Sequence, residues 1–333
     1  MGEIRPTHVV SISGGKDSQA TAILCTELHS NEEIHFVFAD TGNEHEITYQ
    51  HLDYMEQVFG RPIRRLKADF SADIARKREY VVAHWPGKGV PEETVSTALA
   101  ALVPTGNPFL DLCIWKGRFP SRKAQFCTQE LKRHLLDPLM MELALRDGFD
   151  VGDLHSWQGV RRDESENRKN AQDRERTPEG WWIERPIAGW TAQQTVDFVI
   201  ERGQRLNPLY SKGFRRVGCM PCINAGKDEL LAMSRHFPET VERVRKWEIA
   251  VAAASKRGAS SFFAAPDKDG RGEREGRNII ERIEWSKTSR GGKQYDLLRT
   301  APAEECSSSY GLCETEENHF VLPDQMDLQG SHP

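Results

Sequence analysis

The chain has no apolar run approaching the ~20 residues needed to span a bilayer, and its opening residues, Met1-Gly2-Glu3-Ile4-Arg5-Pro6, contain no signal-peptide apolar region. A cytoplasmic protein without membrane contact is therefore expected. There its seven cysteines read as thiols, metal ligands or redox groups, not structural disulfides. No internal repeat is visible. A strong cationic excess is also missing, and the formal net charge of -5 over 333 residues speaks against wholesale wrapping of nucleic acid. Two local patches escape that average. Residues 116–133 hold six basic side chains and one acidic, and residues 256–293 hold ten basic and six acidic. Either patch suits a polyanion, or equally a solvated face.

Two common nucleotide motifs are absent as well: the eight-residue Walker loop and the three-glycine dinucleotide pattern. What stands in their place is Val9-Val10-Ser11-Ile12-Ser13-Gly14-Gly15-Lys16-Asp17-Ser18, followed by a helix-like stretch. A strand that breaks into a tight turn and restarts as a helix exposes free N–H groups and a positive dipole end, which favour an anion. This reads as a phosphate cradle.

Apolar periodicity predicts a strand over 7–12, a helix over 17–30, a strand over 34–39, a helix over 46–59 and a strand over 62–67. That alternation specifies a parallel α/β sheet with helices on both faces. Ligands of such sheets lie beyond the carboxyl ends of the strands, where Ser13 and Asp40 both fall. Residues 80–120, rich in Pro and Gly, read as an insertion with a helix over 92–102, placed over the substrate side. A helix over 124–145, a strand over 154–159 and a helix over 190–205 follow, the last with Thr191 and Gln194 as a capping box. The expected division is a nucleotide-binding domain over 1–215, a cysteine-bearing basic region over 216–313, and an acidic, disordered tail over 314–333.

Five segments in fixed order resemble the phosphoadenosine-phosphosulfate (PAPS) reductase branch of the PP-loop ATP pyrophosphatases. They are Ser13-Gly14-Gly15-Lys16-Asp17-Ser18, Asp40-Thr41-Gly42-Asn43-Glu44, Phe126-Cys127-Thr128-Gln129-Glu130-Leu131-Lys132, Gly159-Val160-Arg161-Arg162-Asp163-Glu164-Ser165 with Arg168, and Trp190-Thr191 leading to Asn207-Pro208-Leu209-Tyr210. The resemblance covers about residues 7–225 and implies an adenine-nucleotide α-hydrolase-like fold. It implies ATP or PAPS, with Mg²⁺, as the bound nucleotide.

On physical grounds Ser13, Gly14, Gly15 and Ser18 supply donors to phosphate oxygens, and Lys16 offsets their charge. Asp17 either caps the helix or holds Mg²⁺. Asp40 and Glu44, beside Thr41 and Gly42, are placed to meet a ribose hydroxyl or the same ion. Lys132, Arg161, Arg162 and Arg168 are candidates for the anionic leaving group or the acceptor, against pairing with Asp163, Glu164 and Glu166. Adenine is placed near Phe38 and Ile12. His45 has a possible role as base, and His134 reads as a surface histidine.

Cys219-Met220-Pro221-Cys222, with Cys306 and Cys313 further on, offers four thiolates for a [4Fe-4S] cluster or for Zn²⁺. In iron-sulfur adenylyl-sulfate reductases the segment matching Cys127-Thr128 has two adjacent cysteines, so that ligand set is one short here. Two arrangements follow. Either Cys127 is a reactive thiol outside the site, the preferred reading, or it replaces Cys306 or Cys313. Cys25 reads as a core thiol, and Cys113 is left uncommitted.

The expected function is adenylation of an acceptor with release of pyrophosphate, followed by sulfur transfer, with nucleic acid as a candidate acceptor and a cysteine desulfurase as sulfur donor. The alternative is reduction of PAPS or adenylyl sulfate with a thioredoxin-like reductant. That reaction, on the resemblance, wants a Glu-Cys-Gly-Ile/Leu-His type ending, where this chain has Glu305-Cys306-Ser307. A third reading is a zinc-bearing nucleic-acid adaptor with a vestigial pocket.

Overall fold

The structure, a computed structural model, describes residues 6–30, 32–146, 149–263, 278–288, 307–310 and 312. Its frame is a six-stranded sheet of order β3-β2-β1-β4-β6-β5. The strands are β1 Thr7–Ile12, β2 Glu33–Asp40, β3 Ile63–Lys67, β4 Leu154–Trp157, β5 Arg174–Arg176 and β6 Trp182–Glu184. All neighbours pair in parallel except β5, which runs antiparallel at one edge. Chain order reverses between β1 and β4, so the crevice between their carboxyl ends is the switch point where such sheets bind ligands.

The Val9-Val10 pair fixes β1 at the centre, because adjacent apolar residues point to opposite faces and only a strand covered on both sides buries them. Val10 and Ile12 face Ala22 and Cys25 of α1 (Lys16–Leu28) and Leu52 and Met55 of α2 (Glu46–Phe59). Val9 and Val37 face Leu139, Met140 and Leu143 on the opposite side.

A second body of helices completes the fold: α3 Ser71–His84, α4 Glu92–Ala101, α5 Pro108–Lys116, α9 Lys227–His236, α10 Pro238–Ala253 and α11 Ile279–Ser286, which share one apolar cluster. Phe109 lies 5.7 Å, ring centre to ring centre, from both Trp247 and Phe262. Helix α5 was not expected. Its start is marked by Asn107, which caps Leu110 N–H, and by Pro108 at the first turn. The remaining helices are α6 Phe126–Thr128, α7 His134–Ala144 and α8 Ala192–Glu201.

The helix expected over 124–145 is interrupted by a π-helical turn, Gln129–Arg133, between α6 and α7. Such turns occur often at functional sites. Helix α8 starts as read, with the Thr191–Gln194 capping box, but stops at Glu201. Cys25 is a core thiol, fully buried, with its pKa pushed up to about 12 by that burial. No helix of the described residues is long and apolar enough to cross a membrane. Cys306, Cys313 and the 314–333 tail lie outside the described residues.

Candidate active site

The phosphate loop is braced from three sides. Gly14 takes a positive φ of 72°, and a Cβ there would lie 2.7 Å from Thr48 Cγ2. Ser18 Oγ accepts from Ser13 N–H at 3.0 Å and donates to Gly15 O at 2.9 Å, closing the turn on itself. Asn207 Nδ2 donates to Gly14 O at 3.1 Å, and Tyr210 Oη accepts from Lys16 N–H at 2.9 Å. From β4, Gly159 presses against α1 so closely that a Cβ would sit 2.7 Å from the Asp17 carbonyl. No side chain fits there.

Lys16 is 2 % exposed. Burial lowers its pKa, and Asp17 only partly opposes this. Its Nζ lies 3.5 Å from Asp17 Oδ2 and 5.4 Å from the ring centres of both Tyr210 and Tyr310, close enough for a cation–π contact. Asp17 does not cap the helix, since the N-cap position is Gly15 without a side-chain bond. It is held instead by Arg161, whose Nε lies 2.7 Å from Asp17 Oδ1 and whose other arm pairs with Asp163. An Mg²⁺ ion would have to take Asp17 from these partners.

Arg168 pairs with Glu164, so pairing with local carboxylates holds for both Arg161 and Arg168. Arg162 points elsewhere, to Asp173 at 2.5 Å and Ala171 O at 2.8 Å. Phe38 and Ile12 are 2 % and 4 % exposed inside the apolar core, which removes them as a wall for adenine. His45 serves as N-cap of α2, accepting from Ile47 N–H. His134 is a surface side chain beside Glu130.

The second half of the site is a cleft one loop away. Asp40 Oδ1 accepts from Gly42 N–H at 2.9 Å and from Tyr49 Oη at 2.7 Å. The Cys219 loop docks on the following residues: Met220 N–H donates to Asn43 O at 2.6 Å and Asn43 Nδ2 to Pro221 O at 3.0 Å. This brings Cys219 Sγ to 3.4 Å from Thr41 Oγ1 and 3.6 Å from Glu44 Oε1. Glu44 is buried, and its Oε1 accepts from Thr41 Oγ1 at 2.7 Å. Burial raises its pKa, with Thr41 and Lys132 opposing.

Lys132, on the π-helical turn, faces the same cleft while keeping contact with solvent. Burial alone would lower its pKa, but Cys219, Glu44, Cys222 and Cys127 outweigh it and raise the value. Lys132 thus stands beside the thiols and Glu44. Cys127 is near both Cys222 and the buried Cys113; its own pKa is raised by burial and then by Cys222. Residues 41–44, 127–132 and 219–222 thus build one pocket of three thiols, a carboxylate and an ammonium.

Residues 7–90 and 122–225 match the family model described as the phosphoadenosine phosphosulfate reductase domain. The chain belongs to this family. It is 43% identical, over 92% of its own length and 96% of the other's, to an uncharacterized 37.8 kDa protein of Escherichia phage 186. An adenosine 5'-phosphosulfate reductase of Streptomyces coelicolor is 41% identical over 19% of this chain and 28% of that one. Among solved structures, a PAPS reductase of Candida auris aligns with a TM-score of 0.40 and 14% identity, covering 65% of this chain and 83% of that one.

As a member of the PAPS reductase family the protein is a nucleotide-binding PP-loop α/β fold of the enzyme type, and two loop-bracing residues belong to a segment already singled out by sequence. Asn207 and Tyr210 stand in Asn207-Pro208-Leu209-Tyr210, but only the fold shows that they hold Gly14 and Lys16. Tyr310 carried no sequence signal. Ser307 N–H donates to Ser211 O at 2.7 Å and Tyr310 Oη to Arg215 O at 3.1 Å, which sets the Tyr310 ring beside Lys16.

Proposed function

We propose that the chain binds ATP at the phosphate loop, adenylates an acceptor oxygen and supports its replacement by sulfur. The acceptor oxygen bonds to the α-phosphorus as the bond to the β-phosphate oxygen breaks and pyrophosphate leaves. A sulfur nucleophile then bonds to the acceptor atom and AMP departs with the oxygen. Lys16 is the charge that offsets the departing pyrophosphate. The observation that carries this reading is the docking of the Cys219 loop on Thr41–Glu44, which puts thiols one loop away from the phosphate cradle. A persulfide delivered by a cysteine desulfurase is the matching sulfur source: its outer sulfur bonds to the acceptor atom as AMP leaves. A second thiolate then attacks the inner sulfur, breaking the S–S bond, leaving sulfur on the acceptor and forming a disulfide that a thiol reductant reopens.

The thiol pocket fits a metal group: Cys127, Cys219 and Cys222 supply three thiolates, with Cys306 or Cys313 as candidates for a fourth. Cys127 is counted among them because Cys222 is one of the groups that raise its pKa. Tetrahedral zinc needs sulfurs within about 3.8 Å of one another. Among the described residues these three do not converge within 4.8 Å as another set does, so a [4Fe-4S] cluster, with each thiolate on its own iron, suits them better than Zn²⁺. Such a group would supply sulfur or electrons, while Lys132 offsets the thiolate charge. Exposed Arg118, Arg122, Lys123 and Arg133 flank Cys127, which favours a nucleic acid as the acceptor.

Reduction of PAPS or adenylyl sulfate is the second reading. It is favoured by the C-terminal segment meeting the rim of the phosphate loop, where Ser307 N–H donates to Ser211 O and the Tyr310 ring lies beside Lys16. ATP–pyrophosphate exchange, measured with and without candidate acceptors, separates the two. Exchange supports adenylation; no exchange, together with sulfite formed from PAPS and thioredoxin, transfers the site to reduction.

A further inference from the structure

At the amino-terminal end of the sheet, opposite the phosphate loop, β1, β4 and the turn after α1 gather three histidines. His8 Nε2 lies 2.5 Å from Glu32 Oε2, and His29 Nδ1 lies 3.1 Å from the same oxygen. The two imidazoles stack with centres 4.0 Å apart. One ligand atom from each of His8, His29 and Glu32 falls within 4.8 Å of the others, which holds for no other such group among the described residues. His155 closes one side, its ring 5.1 Å from His8 and its Nδ1 held by Glu184 at 2.9 Å.

Two features go beyond an ordinary ion pair. His29 Nδ1 is buried and, although 3.1 Å from Glu32 Oε2, makes no well-formed hydrogen bond. His8 is 1 % exposed, and its Nδ1 accepts from Trp157 Nε1 at 3.0 Å, so the ring carries a single proton. Two imidazoles and one carboxylate are a donor set that zinc accepts in sites with an open position.

We propose that His8, His29 and Glu32 form a binding site for a divalent transition ion of the zinc type, separate from the thiol pocket and the nucleotide crevice. Binding has a definite cost. Trp157 Nε1 donates to His8 Nδ1 at 3.0 Å, which places the proton of neutral His8 on Nε2. Coordination through Nε2 moves that proton to Nδ1, and two N–H groups then face each other, so Trp157 must turn away. The His8–Glu32 gap must also open from 2.5 Å to about 3.3 Å, the edge of a tetrahedron with bonds near 2.0 Å. One hydrogen bond and one short contact are exchanged for three coordination bonds, which tie the start of β1 to the α1–β2 turn.

The test uses the full chain, stripped with a chelator and titrated with zinc chloride, in a Cys219→Ser/Cys222→Ser background that removes the thiol pocket. The expected result is one zinc per chain and a raised melting temperature. Adding His29→Ala or Glu32→Gln should weaken binding by about tenfold or more. Trp157→Phe, which removes the competing donor, should bind zinc at least as tightly and abolish the zinc-induced change in tryptophan emission. If the cysteine variant fails to fold, the wild-type chain is titrated and Glu32→Gln must remove one equivalent. Zinc binding that is absent, or unchanged by both His29→Ala and Glu32→Gln, overturns the proposal. Neither outcome depends on nucleotide turnover, so the site and the proposed reaction stand or fall separately.

Discussion

The phosphate loop follows β1 and the thiol cleft rests on the residues after the neighbouring β2, yet they are built differently. The loop is a local object: Ser13, Gly14, Gly15 and Ser18 are within six positions of one another and close their own turn, and the long-range contacts only brace it. The cleft is an assembly of segments far apart in the chain, held by Asn43 against Met220 and Pro221 and by Lys132 from the π-helical turn. A local object tolerates loss of a brace, whereas an assembly loses its geometry with any member. The two regions should therefore respond to substitution in distinguishable ways.

The largest effect is expected at Lys16, the one cation buried in the loop. Lys16→Ala should lower nucleotide turnover by about 10²–10³-fold, the usual cost of removing a donor aimed at developing charge, while leaving iron or zinc content as in wild type. Cys219→Ala should do the reverse. Iron content, measured after anaerobic purification, should fall to background, and nucleotide affinity from equilibrium titration should stay within about threefold, a shift of under 1 kcal/mol. If Lys16→Ala also strips the metal, or Cys219→Ala also abolishes nucleotide binding, the two regions are one cooperative unit and the contrast drawn here fails.

The same contrast explains what could be read before the fold was known. The strand–turn–helix around Ser13 and the capping box at Thr191 were legible because their causes lie within a few residues: apolar periodicity, glycine at a positive φ, a side chain bonding to its own third neighbour. Glu44 reads from sequence as a partner of a ribose hydroxyl or Mg²⁺ because its neighbours in the chain are nucleotide residues. Only the tertiary approach of Cys219, 175 positions away, shows which way its carboxylate turns. Arg161 and Arg162 follow the same rule, since their acidic partners decide the direction of each fork and these two adjacent arginines end on different carboxylates. Helix α5 went unread because 80–120 was judged by its prolines and glycines, although Asn107-Pro108 is a helix start by the same capping logic used at Thr191.

A smaller effect sharpens the claim that the loop is braced and not built by its distant contacts. Tyr210→Phe keeps the ring beside Lys16 but removes the oxygen that accepts from Lys16 N–H. The buried N–H is left unpaired, at a cost of about 1–3 kcal/mol. Chemical denaturation should register that loss, and nucleotide affinity should weaken by about tenfold or less. A loss as large as that of Lys16→Ala would mean that Tyr210 creates the loop conformation.

The smallest effect at neutral pH lies behind the loop, where α1 meets α2. His51 is 3 % exposed, its Nε2 lies 3.2 Å from Gln19 Oε1, and Gln19 Nε2 in turn reaches Gln204 and Arg205 O. Burial lowers the His51 pKa to about 3, against 6.5 when the chain is unfolded. The folded state therefore binds the proton less readily than the unfolded one. The stabilising contribution is fully present above pH 6.5 and is lost as pH falls toward 3, at about 1.4 kcal/mol per pH unit below about pH 6. His51→Gln preserves a donor for Gln19 without a titrating group. Its unfolding free energy should match wild type within about 1 kcal/mol at pH 7.5 and should fall less steeply between pH 6 and pH 4. Parallel curves for the two proteins would show that His51 titrates normally and that α1 is held against α2 by packing alone.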